Sequence, residues 1–180
     1  MSETELDRIY LAGLEILQTI GMSGAPDPLA RMLEARGATR RSDGRLVFSR
    51  HMVEDALARA PDRVDLPGFA DDRGLTLGTG EVHLGTGGAA VQVHDAGACM
   101  YRDATLQDLF DLMHIVDASA NIRYGVRPVI ARDVEDPRAL DLNTAFACLK
   151  GTAKPIGVSF QSPGNLRDTV RMFDMALGAE

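Results

Sequence analysis

Residues 105–160, TLQDLFDLMHIVDASANIRYGVRPVIARDVEDPRALDLNTAFACLKGTAKPIGVSF, decide the fold class, because their hydrophobic period switches repeatedly between helix and strand. Leu106, Leu109, Phe110, Met113 and Val116 make one apolar stripe of a helix running to about residue 118. Thr105 and Asp108 form its capping-box-like start, with aspartate where Glu or Gln is preferred. Residues 122–126 then read as a strand ending at Arg127-Pro128, and residues 136–150 as a second amphipathic helix stopped by Gly151. Residues 155–160 read as a mostly apolar strand, and residues 165–177 as a final helix. Strands alternating with helices imply βαβ units and a parallel sheet, hence an α/β class. Crossovers of this length serve either an open doubly wound sheet or a closed barrel. Only two or three such units are present, too few for eight strands, and the chain stops on a helix, which reads as a truncation.

Upstream the pattern changes. Short extended pieces at residues 63–66, 75–77, 82–84 and 90–94 are separated by glycine-rich or acidic turns. Asp95-Ala96-Gly97 reads as a hairpin tip, with residues 99–102 as the returning strand. LGTG occurs at 77–80 and again at 84–87, copies too short for an architectural repeat. Before these lie three helices. Residues 3–20 start on a Ser2/Glu5 capping box, residues 27–36 carry Pro28 in the first turn, and residues 50–59 start at Ser49. A short strand at 45–48 follows the turn Ser42-Asp43-Gly44.

The 180 residues suit one domain with a small extension and can bury a core without disulfides. Lys and Arg total 19 against 26 Asp and Glu, a formal charge of −7, and the basic residues are scattered. That excludes the clustered cations that phosphate-backbone binding requires, so nucleic acid is not an expected partner. The opening MSETELDRIY has no apolar signal core, and no run approaches the length of a membrane helix, so a cytoplasmic protein is expected. Cys99 and Cys148 are far apart, and the four histidines make no HxH or HxxxH pair. Neither set has the spacing of a metal site, and none is expected.

Ligands of parallel α/β folds gather at the carboxyl ends of the strands. This selects Arg127, after residues 122–126, and Ser159, Gln161 and Ser162, around the end of residues 155–160. Arg127 suits a substrate carboxylate through two parallel hydrogen bonds, unless it pairs with nearby Asp133 or Asp136; Gln161 can orient a polar group. The run Gly85-Thr86-Gly87-Gly88-Ala89-Ala90 allows close backbone approach at Gly87 and Gly88, but a hairpin bend is the favoured reading. It lacks the ending of a phosphate loop and the third glycine of a dinucleotide loop. His94, beside Asp95, is a candidate ligand or base, although a solvated hairpin position is favoured. Lys154 precedes a strand, on the stability end of the sheet, and burial there is not expected. Both cysteines read as small packing residues. No catalytic residue can be named.

The segments HLGTGGAAVQVHD, YRDATLQDLFDLMHIVDASANIRYGVRPVIARD and DLNTAFACLKGTAKPIGVSF resemble, in order and spacing, the trimethylamine methyltransferase family. A helix ending in Ile20-Gly21, a Gly37-Ala38 turn and Ala60-Pro61 before an extended segment fit the same pattern. The resemblance covers nearly all of this chain but only about the first third of a typical member. It implies a partial TIM-type (β/α) barrel over residues 77–180, preceded by a helical and β-rich extension over residues 1–76. It also implies methyl transfer from a methylated amine to a corrinoid (cobalamin) carried on a separate small protein, with no cofactor bound directly. Some members use pyrrolysine, which falls beyond the matched region, and others demethylate quaternary amines such as glycine betaine. A quaternary ammonium has no proton to lose, so the site holds the cation by aromatic or acidic groups and aims a methyl group in line. Aromatics are 5% of the chain, with no Trp, so a cage would come largely from elsewhere; Tyr124 and Phe160 are the local candidates, and both read as core. Two other classes compete. One is a non-catalytic truncated paralogue or interaction subunit whose open sheet edge pairs with another chain, including a homo-oligomer. The other is a small open-sheet enzyme, which the missing phosphate loop disfavours.

Overall fold

A computed structural model describes residues 1–178; the last two residues of the 77–180 segment lie outside the described chain. The backbone divides into two compact units, Met1–Asp62 and Arg63–Glu180.

The first unit runs α1 (Glu3–Thr19), α2 (Asp27–Glu34), β1 (Thr39–Arg40), β2 (Leu46–Val47) and α3 (Arg50–Ala58). The Ser2/Glu5 capping box closes in both directions: the Ser2 amide donates to Glu5 Oε2 at 2.7 Å and the Glu5 amide to Ser2 Oγ at 3.3 Å. Two otherwise orphaned amides are thereby satisfied at the start of α1. Ser49 caps α3 with a single bond, its hydroxyl accepting from the Met52 amide. β1 and β2 form an antiparallel pair around the 42–44 turn. Thr39–Arg40 was not anticipated as a strand, because two residues carry no readable alternation. Leu14, Ala30, Ala38 and Leu46 are buried.

The second unit continues with β3 (Val64–Leu66), β4 (Leu75–Leu77), β5 (Leu84–Gly85), β6 (Gln92–Asp95), β7 (Met100–Asp103), α4 (Leu106–Ala118), β8 (Ile122–Val126), α5 (Pro137–Gly151), β9 (Ile156–Gly157) and α6 (Pro163–Leu177). β3–β4 and β6–β7 are antiparallel pairs. β5, β8 and β9 form a three-stranded sheet in that order, with both pairings parallel. The fold is therefore α/β with parallel crossovers, and no barrel closes among the described residues. α4 and α5 cover the sheet, packing Leu109, Met113, Val116, Ala147 and Cys148 with Ala104 and Val129, against the partly buried Ile122, Ile156 and Val158.

Two expectations, the strand at 155–160 and an unburied Lys154, need correction, and the capping box expected at Thr105 and Asp108 is present. The strand expected at 155–160 shrinks to Ile156–Gly157. It is bonded only to β8, so residues 158–160 have no ladder to hold them extended. The capping box of α4 forms fully with aspartate: the Thr105 amide donates to Asp108 Oδ2 at 2.8 Å and the Asp108 amide to Thr105 Oγ1 at 3.2 Å. Arg102 steadies the shorter side chain through two bonds, 2.6 and 2.7 Å, which hold the Asp108 carboxyl well below the usual carboxylate range. Lys154, expected to be unburied, is only 4% exposed. Its Nζ donates to the carbonyls of Val116, Ser119 and Ile122 at 2.6, 2.6 and 2.7 Å. The end of α4 leaves carbonyls without helical partners, and one buried ammonium satisfies them together with the start of β8.

Candidate functional site

Because β5, β8 and β9 are parallel, their carboxyl ends lie on one edge of the sheet. At about 4.8 Å per strand, the outer two ends stand roughly 10 Å apart, the scale of a small-molecule site. Past β5 the chain enters residues 86–89, past β8 it reaches Arg127-Pro128, and past β9 it runs through residues 158–162. Gly87, Gly88, Arg127, Ser159 and Gln161 are thus brought to the same edge.

The glycine run is not the hairpin bend expected. Leu84 and Gly85 pair in parallel with Ile122 and Tyr124, and Ala90 makes a second parallel bridge to Val129. The intervening residues bulge out between two contacts with one neighbour. Thr86 pins this bulge, its amide donating to the Tyr124 carbonyl at 3.3 Å and its hydroxyl to the Val126 carbonyl at 2.6 Å. The Tyr124 ring lies where a Cβ on Gly85 would project, so only glycine fits beneath it. Gly88 has φ +124°, a conformation that side chains disfavour. A Cβ on Gly87 or Gly88 would meet no atom within 4 Å, so this stretch of backbone faces open space.

Arg127 is half-buried, and its amide donates to the Gly157 carbonyl at 3.0 Å. Its guanidinium has no protein acceptor among the described residues. The two aspartates weighed as partners are engaged at helix starts: Asp133 accepts from the Leu106 amide at 3.0 Å and Asp136 from the Ala139 amide at 2.7 Å. Anions at helix N-termini are favoured both by orphaned amides and by the dipole, which explains why they turn away from the arginine. Burial pushes the nearby Cys148 thiol up to about 12, with the Arg127 charge pulling weakly the other way. That thiol is a packing group and no nucleophile.

Ser159 and Gln161 are exposed. Their loop is held by Asp141 of α5, which is 3% exposed and was not singled out from the sequence. Its Oδ2 accepts from the Gln161 amide at 2.8 Å and from Asn165 Nδ2 at 2.7 Å. The available signal was its register, since Asp141 shares the buried face of α5 with Thr144, Ala145 and Cys148. Ser162, weighed for the site, instead caps α6 by accepting from the Asn165 amide at 3.1 Å.

His94 lies elsewhere, exposed on β6, with its ring 5.2 Å from that of Tyr101 across the hairpin. The base of that hairpin is tied to the segment after β8: the Ala104 amide donates to Val91 and the Arg132 amide to Ala104. Phe160 is half-buried, as is Tyr124. Lys154 sits before β9, away from the strand ends, where burial draws its pKa down and Asp117 opposes the shift. Among the described residues no cluster of three or more His, Cys, Asp or Glu could hold a metal ion, and no helix is long and apolar enough to cross a membrane. Among the described residues the edge can therefore offer one cation without a protein acceptor, an open backbone strip and two exposed polar side chains to a ligand.

A family model described as trimethylamine methyltransferase (MTTB) matches residues 1–180. The chain is 24% identical over 180 residues to a trimethylamine methyltransferase MttB of Desulfitobacterium hafniense, covering 99% of this chain and 36% of that protein. It is 31% identical over 156 residues to MttB1 of Methanosarcina mazei and 32% identical over 157 residues to MttB of Methanosarcina thermophila. Those two alignments cover 83% of this chain and 31% and 32% of the relatives. The chain thus spans about a third of the length of the curated relatives it matches.

Proposed function

The chain belongs to the trimethylamine methyltransferase family, and from that premise we propose that it forms the N-terminal part of a methyltransferase moving a methyl group from a methylated or quaternary amine to a corrinoid protein. In this reading β5, β8 and β9 are the first strands of a partial TIM-type barrel over residues 77–180, and residues 1–76 are its helical and β-rich extension. The protein works in the cytoplasm. The observation that carries the reading is the family match along the whole chain. The convergence of Gly87, Gly88, Arg127, Ser159 and Gln161 on one strand-end edge supports it, because barrel ligands collect there.

The corrinoid, bound to its own protein, supplies the cobalt that accepts the methyl group. The side-chain-free edge at Gly87 and Gly88 fits the approach of such a partner to backbone. The Arg127 guanidinium, without an acceptor among the described residues, can hold a carboxylate on the amine in a two-bond fork, fixing which way its methyl groups point. Ser159 and Gln161 orient polar groups of the substrate from β9, and the Asp141 anchor keeps their loop in place. In this reading His94 meets the substrate from the β6–β7 hairpin.

The test is methyl transfer by the full-length polypeptide that carries this chain, supplied with methylated amines and a corrinoid protein, followed by corrinoid absorbance. Transfer is expected. Arg127→Met should raise KM for a carboxylate-bearing quaternary amine about tenfold or more, the loss of a charge-assisted pair, while leaving trimethylamine little changed. Equal KM values for wild type and variant would remove Arg127 from the site. No transfer with any amine would favour the alternative, a non-catalytic paralogue or interaction subunit. That second reading draws on the far side of β9, which has no strand partner among the described residues.

A further inference from the structure

We propose that Tyr124 is the cation seat of the strand-end site, the outward face of its ring binding the methylated ammonium group of the substrate. The inference rests on the methyltransferase reading and deepens it by naming the group that holds the charge. Tyr124 lies in the middle of β8, the central strand of the parallel sheet. Its neighbour Gly125 faces α4, since a Cβ there would meet Met113 and Val116. Alternation along a strand therefore turns Tyr124 to the opposite face, away from the helices and the core they cover. Val126 shares that face and is 38% exposed.

The ring rests on glycine. Tyr124 pairs with Gly85, the last residue of β5. A Cβ on Gly85 would meet Cζ, Cε1 and Cε2 of the ring together, so a face of the ring, and not its edge, lies on the glycine. The second face is thereby directed off the sheet, and no other ring stacks on it among the described residues. The hydroxyl is not enclosed, and it bonds to no protein group among the described residues. A tyrosine packed into a core usually finds a partner for that group. Thr86, whose amide and hydroxyl bond the Tyr124 and Val126 carbonyls, places the ring directly beneath the open strip at Gly87 and Gly88. The ring thus stands at the end of the strands where ligands collect.

Chemistry selects the occupant. A quaternary ammonium spreads its charge over its methyl groups and has no N–H, so a carboxylate gains no hydrogen bond from it. An aromatic face meets the charge with its negative quadrupole and the methyl groups with apolar surface. Gly157 pairs with Val126, and a Cβ there would meet the Val126 side chain. Gly85, Val126 and Gly157, the neighbours of the ring on this face, carry no charge, so the ring is what they leave for a cation.

Calorimetry on the full-length polypeptide that carries this chain tests the assignment without turnover, using tetramethylammonium and the uncharged, similarly sized neopentyl alcohol. Tyr124→Leu should weaken tetramethylammonium about tenfold, the worth of a desolvated cation–π contact, and leave neopentyl alcohol within about twofold, because leucine supplies comparable apolar surface. Tyr124→Phe keeps the ring and should keep most of the affinity for the cation. Gly85→Ala, which leaves Tyr124 in the chain but pushes its ring off the glycine, should weaken tetramethylammonium as well, and this second variant carries the test if Tyr124→Leu does not fold. Unchanged cation affinity in these variants, or equal loss of both probes, shows a ring that only fills space and overturns the proposal. Wild type that transfers methyl groups yet binds no tetramethylammonium also overturns it, with the methyltransferase reading intact. Wild type that neither transfers a methyl group nor binds a methylated ammonium refutes that reading, and the proposal falls with it.

Discussion

Replacing Lys154 with Met keeps most of the aliphatic stem and removes the ammonium that gathers the Val116, Ser119 and Ile122 carbonyls. Each hydrogen bond contributes about 1 kcal/mol net, and more when the donor is charged. Leaving the buried Val116 acceptor without a partner costs a further ~1–3 kcal/mol. Relief from desolvating a buried cation offsets part of this, because that penalty is itself several kcal/mol in a protein interior. The balance is a loss of about 2–4 kcal/mol, large against the ~5–15 kcal/mol that holds an ordinary domain together. Urea unfolding followed by circular dichroism should show the midpoint falling at an unchanged slope, with amide exchange quickening first at the end of α4. Lys150→Met, at an exposed position near the end of α5, should stay within about 0.5 kcal/mol of wild type. A Lys154→Met cost below ~1 kcal/mol would show that water replaces the ammonium at these carbonyls, and the capping role would be wrong.

The Asp108 carboxyl is held below its ordinary value chiefly by Arg102, so the folded chain binds that proton less readily than the unfolded one. Its contribution to stability is present above the unfolded pKa of about 3.9 and drains away as pH falls below it; acid titration of Asp108→Asn should lack this part of the loss. The exposed Cys99 should react with a thiol reagent in the native chain near pH 8, whereas Cys148, buried and raised to about 12, should react only after unfolding; two native equivalents would contradict its packing role. Gly85→Ala should destabilise by about 1–3 kcal/mol, because the new methyl must displace the Tyr124 ring, and Tyr124→Leu in the same chain should recover part of the loss. Denaturant titration of the single and double variants measures that recovery.

Much of the architecture is legible in the sequence. The stripe from Leu106 to Val116, the strand at residues 122–126 and the capping residues Ser2, Ser49 and Thr105 depend on interactions within a few residues, and the chain carries those wherever it goes. The site was legible as far as a topological rule reaches: once residues 122–126 and 155–160 are parallel strands, Arg127, Ser159 and Gln161 must lie at one end. The rule is silent about the groups behind them. Asp141 resembles any helical aspartate until the loop amide of Gln161 is found against it. The sequence favours pairing of Arg127 with Asp133 or Asp136, because sequence proximity does not tell which carboxylate a helix amide has already taken.

The amino-acid sequence by itself determined the helices, their caps, the parallel crossovers and the family, since these follow from local periodicity, short-range hydrogen bonds and ordered motifs. Only the tertiary structure decided that residues 84–90 extend a parallel sheet through a bulge, that Lys154 is buried beneath α4, and that the Arg127 guanidinium has no acceptor among the described residues. The first two turn on partners more than thirty residues away along the chain, and the third on helix amides that have already taken Asp133 and Asp136. A glycine reads as a bend until a tyrosine ring lies over it, and a lysine reads as surface until three carbonyls converge on it.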